Sequence, residues 1–135
     1  MQVNVNEVSG QILDYLAAKC LGYTLTSDGI SNLLERGREL LILGPNSSSL
    51  SFSPSTNPAH AWPIIELDRI WIKFPFMVEG DVEAIHGHFG FPKIINAFGP
   101  TALIATMRCF VKSKFGNTVE IPDDVFELLS ASSVS

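Results

Sequence analysis

Apolar residues along this chain recur at two different periods, and the change from one to the other divides it. Ile12, Leu13, Leu16, Ala17 and Cys20 return at helical spacing, which predicts a helix over residues 9–21 with Gly22 as its left-handed stop. A second helix is expected over residues 30–38, with Thr26 or Ser27 available to cap it. Residues 40–43 either extend that helix or form a strand, and Gly44, Pro45 and Asn46 end whichever is there. Alternation takes over after a serine-rich loop at 47–51. Leu50 and Phe52 predict a short strand, and Pro54, Pro58 and Pro63 predict a rigid extended loop behind it. Residues 64–66 and 69–74 read as strands; in the second, Ile70, Ile72 and Phe74 share one face. Residues 82–91 alternate again and are expected to pair with the preceding strand through the turn at Glu79, Gly80 and Asp81. A helix over 101–114 stopped by Gly116, an edge strand over 119–121 and a last helix opened by Pro122, Asp123 and Asp124 complete the pattern. The expectation is a single α+β domain over residues 1–129, with a central antiparallel sheet and helices from both ends of the chain. Residues 130–135 read as a disordered tail.

Composition narrows what such a domain does. The chain has 135 residues, enough for one core, and is 46% hydrophobic with 17% charged residues. So few charges leave apolar surface for another subunit to cover, and the aromatic load of Trp62, Trp71, Phe74, Phe76, Phe89 and Phe91 points the same way. A homo-oligomer is expected. The net charge of −5 argues against binding a DNA or RNA duplex, which requires a basic field. No apolar run approaches the roughly 20 residues of a membrane span. The N-terminal segment has neither the basic nor the apolar region of a signal peptide, so a cytoplasmic setting is expected. Two cysteines, Cys20 and Cys109, fall near apolar helix positions and read as buried thiols.

Three segments resemble the phage NinX-like family: residues 5–23, 52–66 and 99–124. The family's Leu-Asp pair is matched by Leu13 and Asp14. Its Ser-Pro-Ser-Thr loop leading to Pro-Ile-Ile-Glu is matched by residues 53–56 and 63–66. Its Met-Arg helix and Ser-Lys-x-Gly ending are matched by Met107 and Arg108 and by residues 113–116. The middle loop departs at residues 57–62, where the family has an Asp-Trp and paired glycines, and residues 27–48 depart from the compact family pattern. The terminal-helix arrangement is also similar to the first-described type of Thoeris anti-defence protein, a phage-encoded sponge. That likeness implies a homo-oligomer, a dimer or a higher assembly such as a hexamer. It would bind a cyclic ADP-ribose-type or cyclic oligonucleotide signal in the bacterial host cytoplasm without cleaving it, through arginine and an aromatic ring. The NinX likeness implies an accessory protein that binds a host protein as the alternative.

Candidate chemistry gathers around the last long helix. Thr101, Ala105, Arg108 and Lys112 lie at spacings of four, three and four and share one face, behind a helix entry suited to anions. Arg108 offers a planar fork for phosphate and Lys112 a point charge; the plainer reading pairs Arg108 with Asp14 or Glu66. His88, Phe89 and Phe91 form a surface on which a purine could stack, with Asn96 reading its edge and Trp62 as a further stacking ring. Ser55 and Thr56 offer hydroxyls and amides to phosphate or ribose. His86, His88 and His60 together could hold zinc, but without a CxxC or HExxH motif no metal is expected, and no cofactor. No Gly-x-Ser-x-Gly elbow or phosphate-binding loop is present, and Cys109 has no neighbouring histidine, so the chain is read as non-enzymatic.

Overall fold

The computed structural model describes residues 1–27, 32–43, 51–75, 80–87 and 94–133. Their architecture is α+β, with four helices and three small sheets. β1 (Gln2–Asn4) pairs antiparallel with β9 (Thr118–Glu120). α1 (Gly10–Cys20) follows the predicted period and buries Leu13, Tyr15, Leu16, Ala17 and Ala18. Gly22, at φ +94°, ends it in the left-handed region.

Residues 32–36 are strand where a helix over 30–38 was expected, and residues 39–43 take the strand alternative. β2 (Thr24–Ser27), β3 (Asn32–Arg36) and β4 (Glu39–Leu43) form an antiparallel meander, and β5 (Ser51–Phe52) joins β4 in parallel. The reason lies at Gly37. Its φ of +60° makes a two-residue hairpin that sets Arg36 opposite Glu39. The paired leucines at 33–34 and 40–41 mimic a helical stripe, yet each pair splits across the two faces of a strand: Leu34 is fully buried while its neighbours are less so.

The proline-rich loop is also shorter than expected, because α2 (Pro58–Asp68) begins inside it and absorbs the strand expected at 64–66. Asn57 caps this helix, its side chain accepting from the Ala59 amide at 3.0 Å. Pro58 occupies the first turn, where a missing N–H costs nothing. Pro63 lies within the helix, and Arg69 closes it in the left-handed region at φ 52°.

β6 (Trp71–Lys73), β7 (Val82–His86) and β8 (Ile95–Gly99) form the third sheet, antiparallel throughout. The β6–β7 pairing was expected; β8 was not. Ile72, Ala84 and Ala97 align on the face beneath α3 (Ala102–Phe115), while Trp71, Ile85 and Asn96 align on the other. α3 is the organising element, packing on β7, β8, α1 and α2 and burying Ala105, Met107, Cys109, Phe110 and Val111. A side chain at Gly99 would meet the Ala105 backbone nitrogen at 2.8 Å, so glycine permits this close approach. α4 (Asp123–Ser133) continues through most of the segment expected as a tail. Among the described residues, no helix is long and apolar enough to cross a membrane.

Candidate functional site

α3 positions the residues on which the sequence placed most weight, and it gives them structural partners. Arg108 donates from Nε to the Val8 carbonyl at 2.8 Å and from Nη1 to the Phe98 carbonyl at 2.9 Å. It joins neither Asp14 nor Glu66. Burial lowers its guanidinium below the ordinary value, against the pull of the Asp81 and Glu7 carboxylates. Lys112 donates to the Asn96 carbonyl at 2.9 Å and to the Asn6 side chain at 3.2 Å. Thr101 caps the helix, accepting from the Ile104 amide at 3.2 Å. Ala105 between them is fully buried, while Thr101 is exposed and Arg108 and Lys112 are half-buried, their donors engaged with neighbouring carbonyls. Asn96 donates to Glu83 across the strand pair at 2.9 Å, and it lines with Lys112 a depression of about 160 Å³. His88, Phe89 and Phe91 lie outside the described residues. Trp62 is 56% exposed on α2, away from α3's cations in sequence and element.

The cysteines behave as expected for inert thiols. Cys109 is buried, Cys20 is partly so, and burial pushes both thiols up to about 12. His86 meets Asp68 at 3.4 Å, while His60 lies against Ser53 and Phe52. No cluster of His, Cys, Asp and Glu suited to a metal occurs among the described residues.

A different site emerges where the β2–β5 sheet meets α2. A groove of about 440 Å³ is lined by Leu21, Tyr23, Arg36, Phe52, His60 and Ile64, among others. Its rings form a continuous run. Tyr23 and Phe52 lie 6.3 Å apart at a 32° tilt, and Phe52 stacks on His60 at 6.2 Å and 13°. The Arg36 guanidinium sits 4.5 Å above the Tyr23 ring and donates to Glu39 at 2.9 and 3.1 Å and to the Leu21 carbonyl at 2.8 Å. The Tyr23 hydroxyl donates to the same carboxylate at 2.8 Å. Hydrogen bonds from Arg36 and Tyr23 hold the Glu39 carboxyl below its ordinary range. An apolar cleft with aromatic walls and a few polar groups at its rim suits a planar small molecule. Reading residues 30–38 as a helix hid this groove, because it scattered Arg36 and Glu39 away from Tyr23.

The turn between β5 and α2 supports one wall of the groove. Its Ser55 amide donates to the buried Asp14 carboxylate of α1 at 2.8 Å. Its Ser53 amide donates to His60 Nδ1 at 3.0 Å. Thr56 donates weakly back to the Ser53 carbonyl at 3.4 Å. Burial pushes the Asp14 carboxyl up to about 6, while the Ser55 groups act in the opposite direction.

The family model described as "Bacteriophage P22, NinX" matches residues 4–114. The chain belongs to the NinX family. The structure shows what its motif residues do in this NinX-family chain: Asp14 of the first segment holds Ser55 of the second, and Arg108 of the third holds the loop that precedes α1. Ser113 donates to the Phe110 carbonyl at 2.6 Å and Gly116, at φ +87°, closes α3. No curated protein matches this NinX-family chain. Among solved structures, a phage protein from Bacillus cereus ATCC 14579 is similar in fold, with a TM-score of 0.54 and 19% identity over 80% of this chain and 89% of that one.

Proposed function

We propose that this NinX-family phage protein is a non-enzymatic accessory protein that sequesters a nucleotide immune signal of the bacterial host, a cyclic ADP-ribose-type molecule or a cyclic oligonucleotide. The observation that carries this reading is the aromatic groove, with Tyr23, Phe52 and His60 in one run and Arg36 over its rim. A base stacks on such rings, and an arginine beside them contacts phosphate or a base edge. The reading assigns the ligand to this groove because rings and a guanidinium come together along its lining.

Calorimetric titration with cyclic ADP-ribose isomers and cyclic di- and trinucleotides tests the reading. One member of that panel binds, His60→Ala lowers its affinity roughly tenfold, the loss of about one good polar contact, and Arg36→Ala weakens it. Absence of binding across the panel overturns the nucleotide assignment. Full affinity in both variants places the ligand elsewhere. The rival reading, an accessory protein that binds a host protein, is favoured by the exposed aromatics Trp71, Phe74 and Phe98. We propose that another copy of the chain covers this surface.

A further inference from the structure

One buried and one partly buried hydrogen bond link α1 to the groove. The Asp14 carboxylate, 2% exposed, takes the Ser55 amide; the turn then folds back, with the Thr56 and Asn57 amides donating to the Ser53 carbonyl at 3.1 and 2.8 Å. The Ser53 amide, thus oriented, donates to His60 Nδ1 at 3.0 Å. A backbone N–H only donates, so Nδ1 must be the unprotonated nitrogen and the proton of the neutral ring must sit on Nε2. The Ser53 hydroxyl, 3.5 Å from the same Nδ1, is the weaker contact and adapts to it. Phe52, stacked on the ring, fixes its plane.

From this geometry we infer that Asp14 is a positioning residue that, through the Ser53–Ser55 turn, locks His60 as a fixed Nε2–H donor to the groove, so that the groove takes planar rings carrying an exposed acceptor, such as a purine ring nitrogen or a base carbonyl. The ligand class rests on the groove proposed above; the lock does not. A neutral imidazole free to exchange tautomers would accept as well as donate and would discriminate poorly between ring edges. A locked ring rejects an analogue in which the facing acceptor is replaced by C–H, because its own N–H is then left unpaired.

The test begins without ligand. Nitrogen-15 spectra of the histidine rings above neutral pH are recorded for the wild type, Asp14→Asn, Asp14→Ala and Asp14→Leu, with exchange of the Ser53 and Ser55 amides measured alongside. The inference expects one Nε2–H tautomer for His60 and slowed amides in the wild type. Asp14→Asn keeps a carbonyl acceptor and should retain both. Asp14→Ala should average the two ring nitrogens and speed exchange, and Asp14→Leu, which fills the volume, should do the same if the alanine variant does not fold. An Nδ1–H tautomer in the wild type, or an unchanged His60 signature in a folded Leu variant, overturns it. Adenosine, 1-deazaadenosine and 7-deazaadenosine then serve as probes at millimolar concentration. One deaza change should weaken binding roughly tenfold in the wild type and have no effect in His60→Asn, which keeps the acceptor for Ser53 and lacks the distal donor. Equal binding of all three overturns the acceptor requirement. Absence of adenosine binding with the tautomer locked overturns the groove's ligand assignment alone.

Discussion

Arg108 reaches the Val8 and Phe98 carbonyls from one guanidinium, tying the loop before α1 to the end of β8. Hydrogen bonds from a charged donor contribute about 1.5–3 kcal/mol apiece. Arg108→Ala should therefore lower the melting temperature by several degrees, a loss of about 2–3 kcal/mol allowing for partial exposure. Ligand affinity per folded molecule should not change. Arg108→Lys should recover only part, since one ammonium cannot serve two carbonyls set for a fork. A stable alanine variant with weakened binding would return Arg108 to the ligand site. Asp14 makes a prediction of opposite character. Its folded-state value of about 6 lies above the ordinary aspartate value of 3.8, so the folded form holds its proton more tightly. Its contribution favours folding most below pH 4 and declines as pH rises towards 6. Above that, the buried carboxylate costs up to about 3 kcal/mol. Asp14→Asn should be more stable than the wild type at pH 7, and the gap in melting temperature should narrow as pH falls from 7 to 5. A constant gap would show that Asp14 does not titrate there.

At the scale of elements, Gly99 decides how closely β8 approaches α3. Gly99→Ala drives a methyl group into the Ala105 backbone nitrogen, where the helix itself would have to shift. A loss of about 1–3 kcal/mol is expected, typical of overpacking, and is measured by denaturant unfolding; an unchanged midpoint would mean that strand and helix sit further apart. The elements also show where sequence was sufficient. α1 and α3 were legible because each has a regular apolar stripe and a glycine stop, Gly22 and Gly116, that nothing contradicts. The β3–β4 hairpin was not, because Leu33, Leu34, Leu40 and Leu41 fit either period and only the positive φ at Gly37 decides between them. α2 was missed because three prolines argue against a helix, although Asn57 followed by Pro58 is a cap and first turn. The candidate site suffered most from the hairpin. Arg36 and Tyr23 become neighbours only through a sheet that periodicity did not reveal, whereas the Arg108 face, legible from spacing, sets its cations on the Val8, Phe98 and Asn96 carbonyls.

The whole molecule leaves Trp71, Phe74, Ile94 and Phe98 exposed while burying a continuous core around α3. With a net charge of only −5 over 135 residues, little repulsion opposes self-association. Light scattering at micromolar concentration should report at least a dimer, and a species of 14.7 kDa would reject that proposal. Sequestration makes a stricter demand, because the ligand has to be held and returned unchanged. The direct measurement is to incubate the protein with cyclic ADP-ribose isomers and cyclic di- and trinucleotides, remove unbound material, denature by heat and chromatograph what is released. The account predicts one compound from that panel, chemically intact, in amounts approaching one per binding site. Recovery of a cleaved product, or of no nucleotide from any member of the panel, would contradict it.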